Sequence, residues 1–220
     1  MSGKRFTIND AELLWDVMRH RRDIRGNNFS DEAVSDAEVD SLIDAALLGP
    51  SVGFSQPWEF VIIRDEHTKL KVQEIFAASN QTEAHQFQDE KRIQYQQLKL
   101  EGIREAPVNL AVFYKPTDKP VLGQTAMPEA GQYSVVCAIQ NMWLMARAMN
   151  IGMGWVSILA AEKVNKLLNV PGDRKLVAYL CIGRPVAFAD VPELETLQWE
   201  KRKIKQGLVF RETFEKKFYD

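Results

Sequence analysis

Tyr133-Ser134-Val135-Val136-Cys137-Ala138-Ile139-Gln140-Asn141-Met142-Trp143-Leu144-Met145-Ala146-Arg147-Ala148-Met149 is apolar on nearly all sides of the helix it is expected to form. A helix with one apolar stripe covers one face of a core, whereas a helix apolar all round needs cover on every side. The chain has 220 residues, 45% of them apolar and 26% charged, which suits one soluble domain with a sizeable core. In a protein this small, a second subunit is a natural source of the missing cover.

Outward from that helix the chain alternates. Gly152–Ile158 and Leu176–Gly183 follow as strands, with a short helix at Glu162–Leu168 and Pro171 between them. Upstream, Trp58–Ile63 and Val108–Tyr114 read as buried strands. Ile8–His20 carries Leu13, Leu14, Val17 and Met18 at helical spacing, with Asn9 or Asp10 as the N-cap. Asp36–Leu48 repeats the pattern until Pro50 stops it. Lys69 to about Arg104 is polar and helix-prone with sparse apolar positions, the composition of a surface cover. Lys115–Pro128, with three prolines and Gly123, is a loop. From Val191 the chain is charged but holds Trp199, Leu208, Val209 and Phe210, enough to dock as an arm. Helices alternating with strands point to an α/β or α+β sheet core.

Composition excludes several classes. The 28 basic and 30 acidic residues give a net charge of −2, against a general nucleic-acid binder. No apolar run approaches the roughly 20 residues that span a bilayer, and Met1–Arg5 leads into charged sequence, so the expected location is cytoplasmic. Cys137 and Cys181 lie far apart in apolar runs and read as buried free thiols. His20, His67 and His85 show no metal-ligand spacing, so no metal site is assigned. The chain has no G-x-S-x-G, P-loop or H-E-x-x-H motif, which removes common hydrolase and nucleotidase readings.

Four segments could carry chemistry. Arg21-Arg22-Asp23-Ile24-Arg25 crowds three guanidinium groups and a carboxylate at a helix end. Arginine forks match phosphate oxygens bidentately. A basic helix end favoured by the macrodipole accounts for the arginines equally well on its own. Pro50-Ser51-Val52-Gly53-Phe54-Ser55-Gln56-Pro57-Trp58 is a helix-to-strand connection that offers hydroxyls and free backbone N–H groups, as ligand loops do. Gly152-Met153-Gly154-Trp155-Val156-Ser157 lacks the full dinucleotide fingerprint but could set the Ser157 hydroxyl at a pocket rim. Lys201-Arg202-Lys203 reads by itself as a solvated charge run.

In this order, the segments resemble the nitroreductase family of FMN proteins, which has an R-R-[S]-x-R segment after the first helix, a P-S-x-x-x-x-Q-P-W loop, a glycine-rich strand and a basic residue in a C-terminal arm. The resemblance runs from about Leu13 to Phe210. It implies an α+β fold with a central mixed sheet flanked by helices, an intertwined homodimer, and FMN at the subunit interface. Residues 1–220 then form one FMN domain, with a helical lid at about 66–105 and a C-terminal arm at about 191–220. Asp23 replaces the family's common Ser, and Phe54 stands where an Asn is usual. With Leu98–Arg104 and Tyr133–Asn141, these departures look like the branch that makes 5,6-dimethylbenzimidazole from FMN.

That branch implies a flavin that is itself the substrate. Reduced FMN reacts with O2 and is fragmented to 5,6-dimethylbenzimidazole, the lower ligand of vitamin B12, and erythrose 4-phosphate. A separate flavin reductase supplies the reduced FMN. Asp23, ionised between arginines, is the expected general base. Ser157 is expected near the ring, to steer the flavin–oxygen adduct. Arg21, Arg25 and Arg202 are expected near phosphate and ribityl oxygens, with Arg22 and Ile24 in the same segment. Pro50, Ser51, Val52 and Gly53 should line the isoalloxazine, and Lys91 and Leu100 belong to the lid, with Arg92 an alternative to Lys91. The rival is an NAD(P)H-dependent nitro- or quinone reductase that keeps its FMN. A flavin carrier on the same fold is a third reading, which Asp23 counts against.

Overall fold

A computed structural model describes residues 3–219. They fall into two compact units, Met1–Phe188 and Ala189–Asp220. The first unit holds four strands, β1 (Trp58–Ile63), β2 (Val108–Tyr114), β3 (Gly152–Val156) and β4 (Lys175–Gly183), in the order β1-β2-β4-β3. β1 and β2 have the bounds expected from their apolar runs, and β3 stops two residues short of Ile158. Every strand pairing is antiparallel, with Phe60 opposite Val112, Leu110 opposite Leu180 and Met153 opposite Ile182. The parallel element is one isolated bridge, Asp23 to Met153.

The strand pattern builds a core on each face, because successive side chains point to opposite sides. Leu110, Val112, Met153, Leu180 and Ile182 pack with α2 (Asp36–Leu47) and α5 (Ala130–Ala148). Ala111, Phe113, Val156, Tyr179 and Cys181 pack with Val72 and Phe76 of α3 (Glu66–Ala84) and Val164 of α6 (Ala161–Leu167). The polar stretch after β1 is two helices, α3 and α4 (Asp89–Gln97), and Tyr95 joins them by donating to Asn80 Oδ1 at 2.6 Å.

The helix α1 (Ile8–His20) has the expected span but a different cap. Thr7 is the N-cap: its hydroxyl accepts from the Asp10 N–H, and the Asp10 carboxylate accepts from the Thr7 N–H at 2.8 Å. Asp10 serves as the acidic half of a capping box rather than as the cap. None of the residues of α1 is buried; Leu13 is 68% exposed and Trp15 59%. α5 buries one face through Ser134, Val135, Ala138, Ile139, Met142 and Ala146. Its opposite face leaves Tyr133, Val136 and Met145 exposed, so the chain alone does not enclose this helix. Cys181 is buried as expected, but Cys137 is only half-buried because it faces away from the sheet side of α5; both thiols are free.

The second unit contains α7 (Glu193–Thr196), and a bridge between Phe210 and Lys217 closes a loop in which the Phe210 and Phe214 rings lie 5.0 Å apart. Among the described residues no helix is long and apolar enough to cross a membrane, and no group of three His, Cys, Asp or Glu could hold a metal ion.

Candidate active site

The arginine segment starts where α1 ends. The Arg21 N–H still bonds the Val17 carbonyl at 3.0 Å, and the backbone then turns extended. Arg22 closes the helix itself: its Nη1 donates to the carbonyls of Arg19 and Arg21 at 2.8 and 2.7 Å. That guanidinium is committed to helix carbonyls. α5 grips the same stretch twice. Arg147 Nε donates to the His20 carbonyl at 2.9 Å, and one turn earlier the Trp143 ring lies 4.7 Å from the Arg21 guanidinium carbon.

From Asp23 the segment runs along the outer edge of β3. Ile24 N–H donates to the Met153 carbonyl at 3.1 Å, and the Ile24 side chain is buried. This close approach explains both glycines of β3. A Cβ at Gly154 would fall on the Ile24 carbonyl oxygen, and one at Gly152 would lie 2.9 Å from Ile24 Cγ1. Gly26, at positive φ, then donates to the Glu101 carbonyl at 2.8 Å, which ties the segment after α4 to the arginines.

Asp23 is held at both oxygens. Oδ1 accepts from the Trp155 N–H at 3.1 Å, and Oδ2 accepts from Arg25 Nε in an ion pair. The carboxylate retains 30% of its side-chain exposure. Its pKa lies above the ordinary 3.8, because loss of water outweighs the attraction of Arg25, the Trp155 N–H and Arg21. The neighbouring arginines favour the ionised form, as expected, while burial is the larger influence on the pKa. The consequence suits proton transfer, since a carboxylate with a raised pKa is a stronger base than a free one.

The Pro50–Trp58 loop is anchored elsewhere on α5. The Val52 N–H donates to Ser134 Oγ at 3.0 Å, and the Ser51 hydroxyl accepts from the Gln56 N–H at 3.1 Å. Gly53 sits at φ 55° in a short 3-10 turn, and a Cβ there would meet the Leu122 carbonyl at 2.8 Å. Ser134 and Trp143 are nine residues apart, roughly 14 Å along a helix at 1.5 Å per residue. α5 is thus the common support of both segments.

A sequence model of the nitroreductase family matches residues 18–184, most of the chain. The chain belongs to the nitroreductase family. It is 44% identical over 196 residues to the 5,6-dimethylbenzimidazole synthase of Rhodospirillum rubrum, covering 88% of this chain and 90% of that protein. Among solved structures, iodotyrosine deiodinase bound to FMN and 3-iodo-L-tyrosine superposes with a TM-score of 0.71 at 20% identity, covering 91% of this chain and 98% of that one. A BluB-like flavoprotein from Clostridium difficile gives 0.66 at 22% identity, covering 87% and 99%. At these identities the two structures speak for the fold.

Within this nitroreductase fold the remaining expected residues are scattered. Ser157 is exposed just past β3, its carbonyl accepting from the Leu159 N–H at 2.9 Å. Leu100 packs partly buried against the α3 side of the core, next to the Glu101 that holds Gly26. Lys91 is exposed on α4 and donates to Gln94 Oε1 at 3.0 Å. Arg202 is exposed in the second unit. A cleft of about 580 Å³ opens between α3 and α4, lined by Gln73, Asn80, His85, Arg92, Tyr95 and Glu101 among others; the Glu101 carbonyl, which accepts from the Gly26 N–H, links it to the arginine segment. Sequence reasoning did not single out Trp143 or the Trp155 N–H. The tryptophan pair was visible as residue types, but which residues the rings and amide would face was not.

Proposed function

We propose that this protein is a 5,6-dimethylbenzimidazole synthase that uses reduced FMN and O2. The observation that carries the reading is the Asp23 carboxylate, held between Arg25 and the Trp155 N–H in a segment where the family commonly has serine. The 44% identity to a synthase over nearly the whole chain supports it. Bound reduced FMN would supply a ring system that O2 attacks and that fragments to 5,6-dimethylbenzimidazole and erythrose 4-phosphate.

The residues fit a phosphorylated flavin. Arg21, its guanidinium carbon 4.7 Å from the centre of the Trp143 ring, is the proposed contact for phosphate or ribityl oxygens. Arg25 shares its charge with Asp23, and Arg22 serves through its backbone and by closing α1. Pro50, Ser51, Val52 and Gly53 are the proposed wall against the ring, Ser157 the hydroxyl near it, Lys91 and Leu100 the lid contacts, and Arg202 the arm's contact. Asp23 takes protons from the ribityl side, a task a serine could not perform near neutral pH.

We further infer that the working unit is a homodimer with a lid at about 66–105, an arm at about 191–220 and a separate flavin reductase as donor, in the cytoplasm. The uncovered apolar residues of α1 and of the outer face of α5 support the dimer, because a soluble monomer seldom leaves such faces open. The test is direct. The protein is loaded with chemically reduced FMN under nitrogen, air is admitted, and 5,6-dimethylbenzimidazole is sought by mass. Finding only reoxidised FMN would overturn the synthase reading in favour of an NAD(P)H-dependent reductase.

A further inference from the structure

Where the chain returns from α4 to the sheet, it lies against the turn after Arg25 with almost no clearance. The Gly26 N–H donates to the Glu101 carbonyl at 2.8 Å. A Cβ at Gly102 would stand 2.8 Å from the Gly26 nitrogen and 2.7 Å from the Phe29 ring. Backbones packed this closely transmit displacement to each other rather than sliding past. Gly26 directly follows Arg25, whose Nε pairs with Asp23 Oδ2.

The Glu101 side chain sets the direction of that carbonyl. Its Oε2 accepts from the Ile103 N–H at 2.6 Å, which closes a local ring over Gly102, and its Oε1 accepts from Gln73 Nε2 of α3 at 3.3 Å. Ile103 is itself anchored. Asn109 Nδ2 donates to the Ile103 carbonyl at 2.8 Å and to the Tyr179 hydroxyl at 3.1 Å. Asn109 is fully buried in β2, and its Oδ1 has no hydrogen-bond partner among the described residues. An apolar side chain would fill that strand position without an orphaned oxygen, so packing alone does not account for the amide. What it supplies is a fixed Ile103. Glu101 thus joins α3, the anchored return and the turn at Gly26.

We infer that Glu101 is a positioning residue that couples the lid to the Asp23 carboxylate: a shift of α3 reaches the Arg25–Asp23 pair through the Glu101 side chain, its carbonyl and Gly26. This rests on the reading of Asp23 as the base and of about 66–105 as the lid. Glu101 acts through Gly26 and needs no contact of its own with the flavin. With α3 in place the carboxylate is held for proton transfer; with α3 displaced the tether slackens, which keeps the base from acting on a flavin open to water.

The first readout needs no ligand. Hydrogen exchange of the full chain, followed by mass spectrometry, is compared for peptides covering residues 23–29 and residues 108–114. Glu101→Ala should speed exchange in 23–29 by about 10- to 100-fold, the worth of a hydrogen bond to a charged group, and leave 108–114 slow. Glu101→Gln, whose amide oxygen can still accept from the Ile103 N–H, should restore most of the protection. Gln73→Ala, a change on α3, should speed exchange in 23–29 by about 2- to 10-fold, as for a neutral hydrogen bond. The second readout is product formation in air at saturating reduced FMN, which should fall in the same order across the variants. Unchanged exchange at 23–29 in both Glu101→Ala and Gln73→Ala would overturn the inference, as would a Gln variant as impaired as the Ala variant. If the parent forms no product while the exchange pattern holds, the synthase reading fails and the coupling stands. Fast exchange at 108–114 identifies a Glu101→Ala chain that has failed to fold, and Gln73→Ala then decides.

Discussion

Asp23→Asn separates the chemistry of the carboxylate from its effect on the fold. The amide is a near-isostere of the protonated acid and can still accept from the Trp155 N–H, but it carries no charge for Arg25. Because the Asp23 pKa is raised, with burial the largest cause, the ionised form is less favourable in the folded protein than in the unfolded chain. Below the ordinary value of 3.8 the acid is protonated in both states and exerts no penalty. As pH rises through 3.8 toward the folded value, the unfolded chain ionises first, and the native state loses stability. The penalty is complete above the folded pKa and amounts to about 1.4 kcal/mol for each unit of elevation. Asp23→Asn should thus be more stable than the parent at pH 7, with the advantage shrinking on acidification. Urea titrations of both proteins between pH 3.5 and pH 7, at about 25 °C as in standard practice, measure it. Product formation should fall by about 10²–10⁴-fold, the usual worth of a general base, while FMN affinity stays largely intact. A stability difference that is flat with pH, or that favours the parent at neutral pH, would refute the account of the burial; unchanged product would refute the role as base.

Two further outcomes follow from the packing. Gly154→Ala drives a methyl onto the Ile24 carbonyl oxygen, which cannot swing aside as a side chain can, so it should cost about 1–3 kcal/mol in urea unfolding and weaken FMN binding; Gly172→Ala, with no atom within 4 Å, should be close to neutral. Leu14→Glu on α1 should convert a dimer to a monomer in sedimentation equilibrium and weaken FMN binding with it. If the chain acts alone, this exposed change should leave mass and affinity unchanged and move stability by no more than about 0.5 kcal/mol.

Much of the sheet was legible because local pattern and tertiary placement agree there. Trp58–Ile63 and Val108–Tyr114 are apolar runs flanked by polar or breaking residues, and they have the expected ends. α1 was legible as a helix from its periodicity, yet that same periodicity points to a buried face that the single chain does not bury. Its cap was missed because Asn9 and Asp10 are good caps as residue types, while Thr7 with Asp10 three residues later forms the actual box. At the site, the arginine segment stood out by charge. The partition among its arginines did not: Arg22 turns back onto the end of α1 and Arg25 onto Asp23, both near in sequence, while Arg21 meets Trp143 of α5, distant in sequence. The direction of the Asp23 pKa was illegible because the charges beside it are written in the chain and the water it loses is not. The two glycines of β3 read in the sequence as a weak cofactor motif; in the fold Gly154 makes room for the Ile24 backbone and Gly152 for the Ile24 side chain.

The sheet order leaves β3 at one end, with a row of backbone groups that no fifth strand pairs among the described residues. Open strand edges invite the edge of another molecule, and proteins that stay soluble cover them. Here the cover is the Asp23–Ile24 stretch itself, through the bridge to Met153, the Ile24 N–H and the Asp23 carboxylate on the Trp155 N–H. The proposed catalytic segment is therefore also a guard against aggregation. Substitutions that loosen it should uncover the β3 edge as well as disturb the proposed site.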